Sequence, residues 1–483
     1  MKNLKPREIW GYFDEILKIP RLSKQEEQIN AYLEEFARKH ALDFSQDAAG
    51  NCLITKAATK GYENHQPIIL QSHVDMVGEK LMDIEHDFTK DPIETFEQDG
   101  WITAKGTTLG ADDGIGIAAS MAVLASNDIA HGPLECLFTV DEETGMTGAF
   151  GLEAGFMKGK ILLNLDSEDE GEIFIGCAGG IDTIGRIKKK VRASDPSSVA
   201  LGFTIEGLQG GHSGDEIHKG FGNSIKLMTR LLWNITNKFK VSLSHFEGGK
   251  LRNAIPREAS ATLVIDPAEL ESVKLYFASF LSDVSLELQK VEPGFKMTME
   301  ELPLPENCFE RDFQRDFLNV LYSCPHGVIA WSQEIEGLVE TSSNLAVVKD
   351  LDSDYIEVVT SQRSSVESAK KDIADRLAAV FQLGNFEVRH TDGYPGWKPN
   401  TNSPILAIST RVYKKLFHKD PEVKAIHAGL ECGLFLEKYP YLDMISFGPT
   451  IKGAHTPDEK IHIESVTKFW KFLLEMLKNA PKN

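Results

Sequence analysis

The chain has 483 residues, 42% apolar and 26% charged, with 52 basic against 72 acidic side chains and a formal charge of −20. That length suits two globular domains, and the composition excludes a disordered chain. The acidic balance argues against nucleic acid or a membrane surface as a partner, although a local site can still receive an anionic small molecule.

Ile9, Trp10, Phe13, Ile16 and Leu17 recur at helical spacing, and Pro20 ends that helix. Ser23 and Glu26 form a capping-box signal for a second helix, whose apolar face is Ile29, Tyr32, Leu33 and Phe36. This amphipathic start is not a secretory leader, and no apolar run approaches the roughly 20 residues of a membrane span. Cys52, Cys136, Cys177, Cys308, Cys324 and Cys432 include no C-x-x-C pair. That usage suits buried, reduced thiols and a cytoplasmic location.

Short apolar runs then alternate with helical patterns. Residues 68–70 read as a strand ending at Gln71-Ser72-His73, and 115–124 as a helix rich in Ala and Met. Residues 134–140 read as a strand ending at Asp141-Glu142-Glu143, and 161–165 as another ending at Asp166. Such alternation predicts an α/β sheet, whose sites collect beyond the carboxyl ends of its strands. From about Ile187 the texture changes to strands at 199–205 and 259–265 and helices at 223–237 and 268–286. A similar order follows: 295–299, a helix near 313–322, a strand at 355–360 and a helix at 366–383. Residues 187–393 therefore read as an inserted domain, built from two related halves. After Gly393-Tyr394-Pro395-Gly396 the α/β texture resumes, with a strand at 443–447 and a closing helix at 463–477. The first domain is accordingly discontinuous, 1–186 and 394–483.

Five segments carry residues able to bind metal: His73 in His-Val-Asp, Asp112 in Gly-Ala-Asp-Asp-Gly, Glu143 beside Glu142, Asp166 at a strand end, and His455 in Gly-Ala-His-Thr-Pro. Alone, each has a bland explanation: a surface His, a turn, a solvated helix start, an N-cap. Together, two imidazoles and three carboxylates at strand ends suit a pair of divalent ions such as Zn²⁺. Ions roughly 3.5–4 Å apart require one carboxylate to bridge them.

The chain resembles the metallopeptidases that include aminoacylase, glutamate carboxypeptidase and bacterial dipeptidases, and within them the aminoacyl-histidine (Xaa-His) dipeptidase branch. The resemblance spans almost the whole chain. It rests on residues 71–77, 106–112, 141–145, Gly210-Gly211-His212-Ser213-Gly214, Arg252-Asn253-Ala254-Ile255-Pro256 and 427–433. It implies a mixed-sheet two-metal peptidase domain with an inserted α+β lid of the dimerisation type. Expected cofactors are two divalent ions per chain, Zn²⁺ with Mn²⁺ or Co²⁺ as alternatives; the expected substrate is a small peptide, and the expected assembly a homodimer. By resemblance Asp112 is the bridging ligand, His73 and Asp166 complete one site, and Glu143 and His455 the other. Asp75 orients His73, and Glu142 is the general base. His212, Asn253, Arg363 and Gly429 bind substrate, Arg363 through its carboxylate. Asp113 stands where many relatives of this branch have Asn, an extra charge that would alter metal affinity. Another hydrolase of the family, or a non-catalytic peptide-binding protein, are the alternatives; binding alone needs no general base.

Overall fold

The structure, a computed structural model, describes residues 1, 3–351 and 354–483. The chain divides into two compact units. One comprises Met1–Cys177, Trp397–Ala425 and Leu430–Asn483; the other comprises Ala178–Gly396 and Ile426–Gly429. A boundary at 187 would cut the strand Gly179–Lys188, which belongs to the second unit's sheet, so the units part before that strand.

The first helix, Arg7–Ile16, buries Ile9, Trp10, Phe13 and Ile16 as its spacing predicts. The second, Glu27–Lys39, has no side-chain cap, which corrects the capping-box expectation. Its two signal residues bond elsewhere instead. Ser23 donates its hydroxyl to Asp75 Oδ2 at 2.8 Å, and Glu26 accepts from the Lys24 and Asp141 amides at 2.7 and 3.0 Å.

Among the described residues the first unit is built on an eight-stranded mixed sheet. At its centre Ile68–His73 runs parallel to Leu134–Thr139 on one side and to Ile161–Asn164 on the other, with Asp443–Ser446 parallel beyond. The first three strands are buried along their whole length, which explains their near-continuous apolar sequence. Parallel alignment sends the carboxyl ends of these strands to one edge, where a site can assemble.

Among the described residues the second unit holds a nine-stranded antiparallel sheet, eight of whose strands form two halves while Gly327–Trp331 pairs with Val339–Asp350 beside them. In the first, Val199–Glu206, Val241–Gly248, Ala259–Ile265 and Lys296–Leu302 lie in the order fourth, first, third, second. In the other, Gly179–Lys188, Val339–Asp350, Tyr355–Ser364 and Glu387–His390 repeat that order, and the halves join through their second strands. The two halves therefore repeat one strand order, but 295–299 closes the first half rather than opening the second. The second half's opening strand precedes the entire first half in the chain. A shared core of Phe203, Phe246, Phe309, Phe317 and Phe381 lies under the sheet. Lys226 sends its ammonium to the Leu321, Tyr322 and Cys324 carbonyls at 3.1, 2.7 and 2.9 Å, capping the helix Arg311–Ser323.

Candidate functional site

In the first unit His73 is the last residue of its strand, while Glu142, Glu143 and Asp166 follow directly on the two flanking strands. Asp112 opens the helix Ala111–Ala125, and His455 lies in the loop between Ile451–Lys452 and Lys460–His462. Folding brings these residues together. His73 Nε2 lies 3.0 Å from Asp112 Oδ1 and 3.3 Å from Asp166 Oδ1. His455 Nε2 lies 3.0 Å from Asp112 Oδ2 and 2.9 Å from Glu143 Oε2. Asp112 thus turns one oxygen to each imidazole. Ligand atoms of His73, Glu142 and Glu143 also lie within 4.8 Å of one another, which puts Glu142 at the same cluster.

Behind this cluster stands a set of residues that sequence reasoning missed. The Glu459 carboxylate accepts the Leu109, Gly110, Ala111 and Asp112 amides at 2.8, 2.9, 2.7 and 3.3 Å, so an acid caps the helix that Asp112 opens. Glu459 is four residues from His455, and therefore ties two remote segments of the site together. Arg21, 1% exposed, donates to the Val74 and Asp75 carbonyls at 2.9 and 2.7 Å and to the Gly110 carbonyl. A Cβ on Gly114 would approach Arg21 to 2.7 Å, so glycine is needed there to admit the guanidinium. Asp75 accepts the Glu142 and Glu143 amides at 3.0 and 3.1 Å and faces His73 Nδ1 at 3.4 Å. Glu431 accepts from Gln71 and Thr139, both at 2.7 Å, and Gln71 continues to Asn164 at 2.5 Å. These buried polar residues cross-link the strands just beneath the site. No local signal marks them, because their partners lie far away in the chain.

The cluster concentrates negative charge. Burial raises the Asp166 carboxyl well above its ordinary value, and Asp112 adds to the effect. Burial also pushes Glu142 up to about 8, with Glu431 and Glu143 adding to it. Hydrogen bonds to Asp112 and Glu143 raise His455 to about 11. Burial disfavours charge on His73, yet Asp166, Asp112 and Asp75 hold its imidazole well above the usual range. Glu143 Oε1 is buried without a hydrogen-bond partner among the described residues. An orphaned carboxylate oxygen, two imidazoles each held between carboxylates and an excess of buried acid fit cations. By contrast Glu26, Asp75 and Asp141 also gather within 4.8 Å, but amides and hydroxyls already fill them. Asp113 is buried beside the site, joined to Asp112 by a cis peptide bond, with Oδ1 accepting the Gly116 amide at 3.1 Å.

The remaining expected residues lie in the second unit. His212 Nδ1 is 3.0 Å from Asp215 Oδ2, and the adjoining loop places Asn253, exposed, with its carbonyl accepting the Ser213 amide at 2.8 Å. The strand expected at 355–360 runs on to Ser364, and Arg363 is buried within it, its Nη1 donating to the Tyr394 hydroxyl at 2.9 Å. His427 Nε2 is 2.7 Å from Ser342 Oγ, and burial, with help from Arg363, lowers it to about 3.

Parallel strands that end in paired imidazoles and carboxylates define a metal-dependent hydrolase of the α/β class. The chain belongs to peptidase family M20/M25/M40, whose sequence profile matches residues 69–479. It is 42% identical over 481 residues to a cytosol non-specific dipeptidase of Escherichia coli (strain K12), covering 100% of this chain and 99% of that protein. The crystal structure of an aminoacylhistidine dipeptidase from Vibrio alginolyticus superposes with a TM-score of 0.93 at 43% identity, covering 100% of this chain and 98% of that one. A tripeptidase from Staphylococcus aureus, 16% identical with a TM-score of 0.57 over 98% of each chain, shares the fold. No helix among the described residues is long and apolar enough to cross a membrane.

Proposed function

We propose that this metallopeptidase is a dipeptidase of the cytoplasm that cleaves Xaa-His dipeptides, β-alanyl-histidine among them. The observation that carries the reading is the shared Asp112 between two imidazole–carboxylate groups, with the uncommitted Glu142 beside them. Full-length identity to a dipeptidase supports the substrate size. In this reading His73, Asp112 and Asp166 hold one divalent ion, and Asp112, Glu143 and His455 a second, Zn²⁺ in preference to Mn²⁺ or Co²⁺. When bound, such ions polarise a peptide carbonyl and lower the pKa of water.

Asp75, 3.4 Å from Nδ1 of the His73 ring, orients that ring and leaves Nε2 as the ligand atom. Glu142 takes the proton from water as its oxygen attacks the carbonyl carbon, then delivers that proton to the leaving nitrogen as the C–N bond breaks. Glu143, occupied as a ligand, leaves this task to Glu142. The buried position of Glu142 beside the cluster suits a group that must accept and return a proton. His212 and Asn253 hold the scissile region, and Arg363 receives the substrate's free carboxylate through its guanidinium fork. The second unit serves as the lid, and the working assembly is a homodimer. Turnover of a dipeptide panel that includes β-alanyl-histidine by the metal-reconstituted chain tests the reading. Hydrolysis confined to N-acylated amino acids or to tripeptides would reject it.

A further inference from the structure

The residues that surround Arg363 are more informative than the arginine alone. Arg363 stands directly opposite Gly180 in the antiparallel pairing of Tyr355–Ser364 with Gly179–Lys188. From beyond that strand Tyr394 pairs with the same glycine, donating its amide to the Gly180 carbonyl at 2.9 Å and accepting the Gly180 amide at 3.0 Å. A Cβ on Gly180 would lie 2.7 Å from the Tyr394 ring, and one on Gly429 would lie 2.8 Å from its Cε2. Two glycines therefore make the slot that the ring fills. The backbone is fixed as well. Lys370 Nζ donates to the Tyr394 carbonyl at 2.6 Å and to Glu367 at 2.7 Å, and Glu367 accepts the Gly396 amide at 3.1 Å.

This slot determines where the phenol oxygen sits, and that oxygen accepts from Arg363 Nη1. Arg363 is 7% exposed, and its Nε is buried without a partner among the described residues. A guanidinium grips a carboxylate side-on through the edge formed by Nε and Nη2. With Nη1 held by the phenol, that edge is the one left to present. We infer that Tyr394 is the positioning residue that fixes Arg363 for reading a substrate's free carboxylate, and that Gly429 serves by making room for the Tyr394 ring. This rests on the carboxylate role proposed for Arg363. It gives Gly429 a role through its neighbour rather than through direct approach of its backbone to substrate. Ordering the fork beforehand spares the rotamer freedom that a long side chain otherwise loses on binding.

The test compares kcat, KM, metal content and thermal midpoint of the full-length, metal-reconstituted protein on a dipeptide and its C-terminal amide. Tyr394→Phe keeps the ring in its slot and removes only the oxygen. The expected result is a KM about 3- to 10-fold higher on the free dipeptide, with kcat within about twofold and KM on the amide unchanged. Gly429→Ala shrinks the preference for the free carboxylate in the parent, and adds no further loss on the Tyr394→Phe background. Arg363→Ala supplies the reference loss. If Arg363→Ala abolishes the preference while Tyr394→Phe keeps it in full, even with a lowered thermal midpoint, Tyr394 is a packing residue and the inference falls alone. If Arg363→Ala itself keeps the preference, the carboxylate reading beneath it falls too.

Discussion

The eight-stranded sheet of the first unit carries its site residues at or just past the ends of parallel strands, whereas the nine-stranded sheet of the second carries Arg363 inside a strand. The first arrangement gathers acids and imidazoles where open backbone leaves room for ions. The second immobilises one guanidinium among neighbouring strands. Mechanistically, changes in the first unit should strike metal retention and kcat, and changes around Arg363 should strike KM and the choice between substrates.

The largest effect is expected at Asp112. Asp112→Ala removes the oxygens facing both imidazoles, so metal content should fall from about two ions per chain to fewer than one, and turnover to background. Elemental analysis beside an activity assay checks this, and chelation of the parent protein should act alike, with divalent metal restoring turnover. A metal-free preparation at full activity would erase the contrast between the two units. Next is Glu142→Ala, expected to lower kcat by about two to four orders of magnitude while both ions stay bound. Near-normal kcat in that variant would move the base elsewhere.

Arg363→Ala should lower kcat/KM on free dipeptides roughly 10- to 100-fold, matching the loss of a charge-assisted contact of about 1.5–3 kcal/mol, and leave metal content intact. Arg363→Lys should recover part of it, since an ammonium lacks the fork. Loss of metal in Arg363→Ala would break the division of labour. The smallest effect sharpens the comparison by touching neither function. Lys226→Met removes the donors that cap Arg311–Ser323 and should cost about 1–3 kcal/mol, read as a thermal midpoint lower by several degrees with kcat and KM unchanged.

The same contrast explains what could be read in the sequence. His73, Glu142, Glu143 and Asp166 stand out because apolar runs stop abruptly in polar residues, and the strands at 68–73, 134–139 and 161–164 follow from that pattern. The strand at 355–360 reads short because Ser361-Gln362-Arg363-Ser364 looks like a polar connector, yet these residues continue a buried strand to Ser364. Its polar side chains have partners across the sheet, such as Gln362 with Thr183. Glu459 and Arg21 are invisible to periodicity for a similar reason: each acts on backbone that is remote in the chain. The Ser23 and Glu26 signal misled because the same residue types that cap helices also hold loops.

The nesting of one half's strands around the other has a consequence for synthesis. Gly179–Lys188 leaves the ribosome long before the strand that pairs with it, as the Thr183–Gln362 hydrogen bond spans 179 residues. At ordinary elongation rates that interval is on the order of 10–35 s. Meanwhile the first half, with all its own strands in hand, can close. The opening strand of the second half must therefore wait as a nascent segment with bare edges, the period in which a chaperone or a neighbouring chain has access to it.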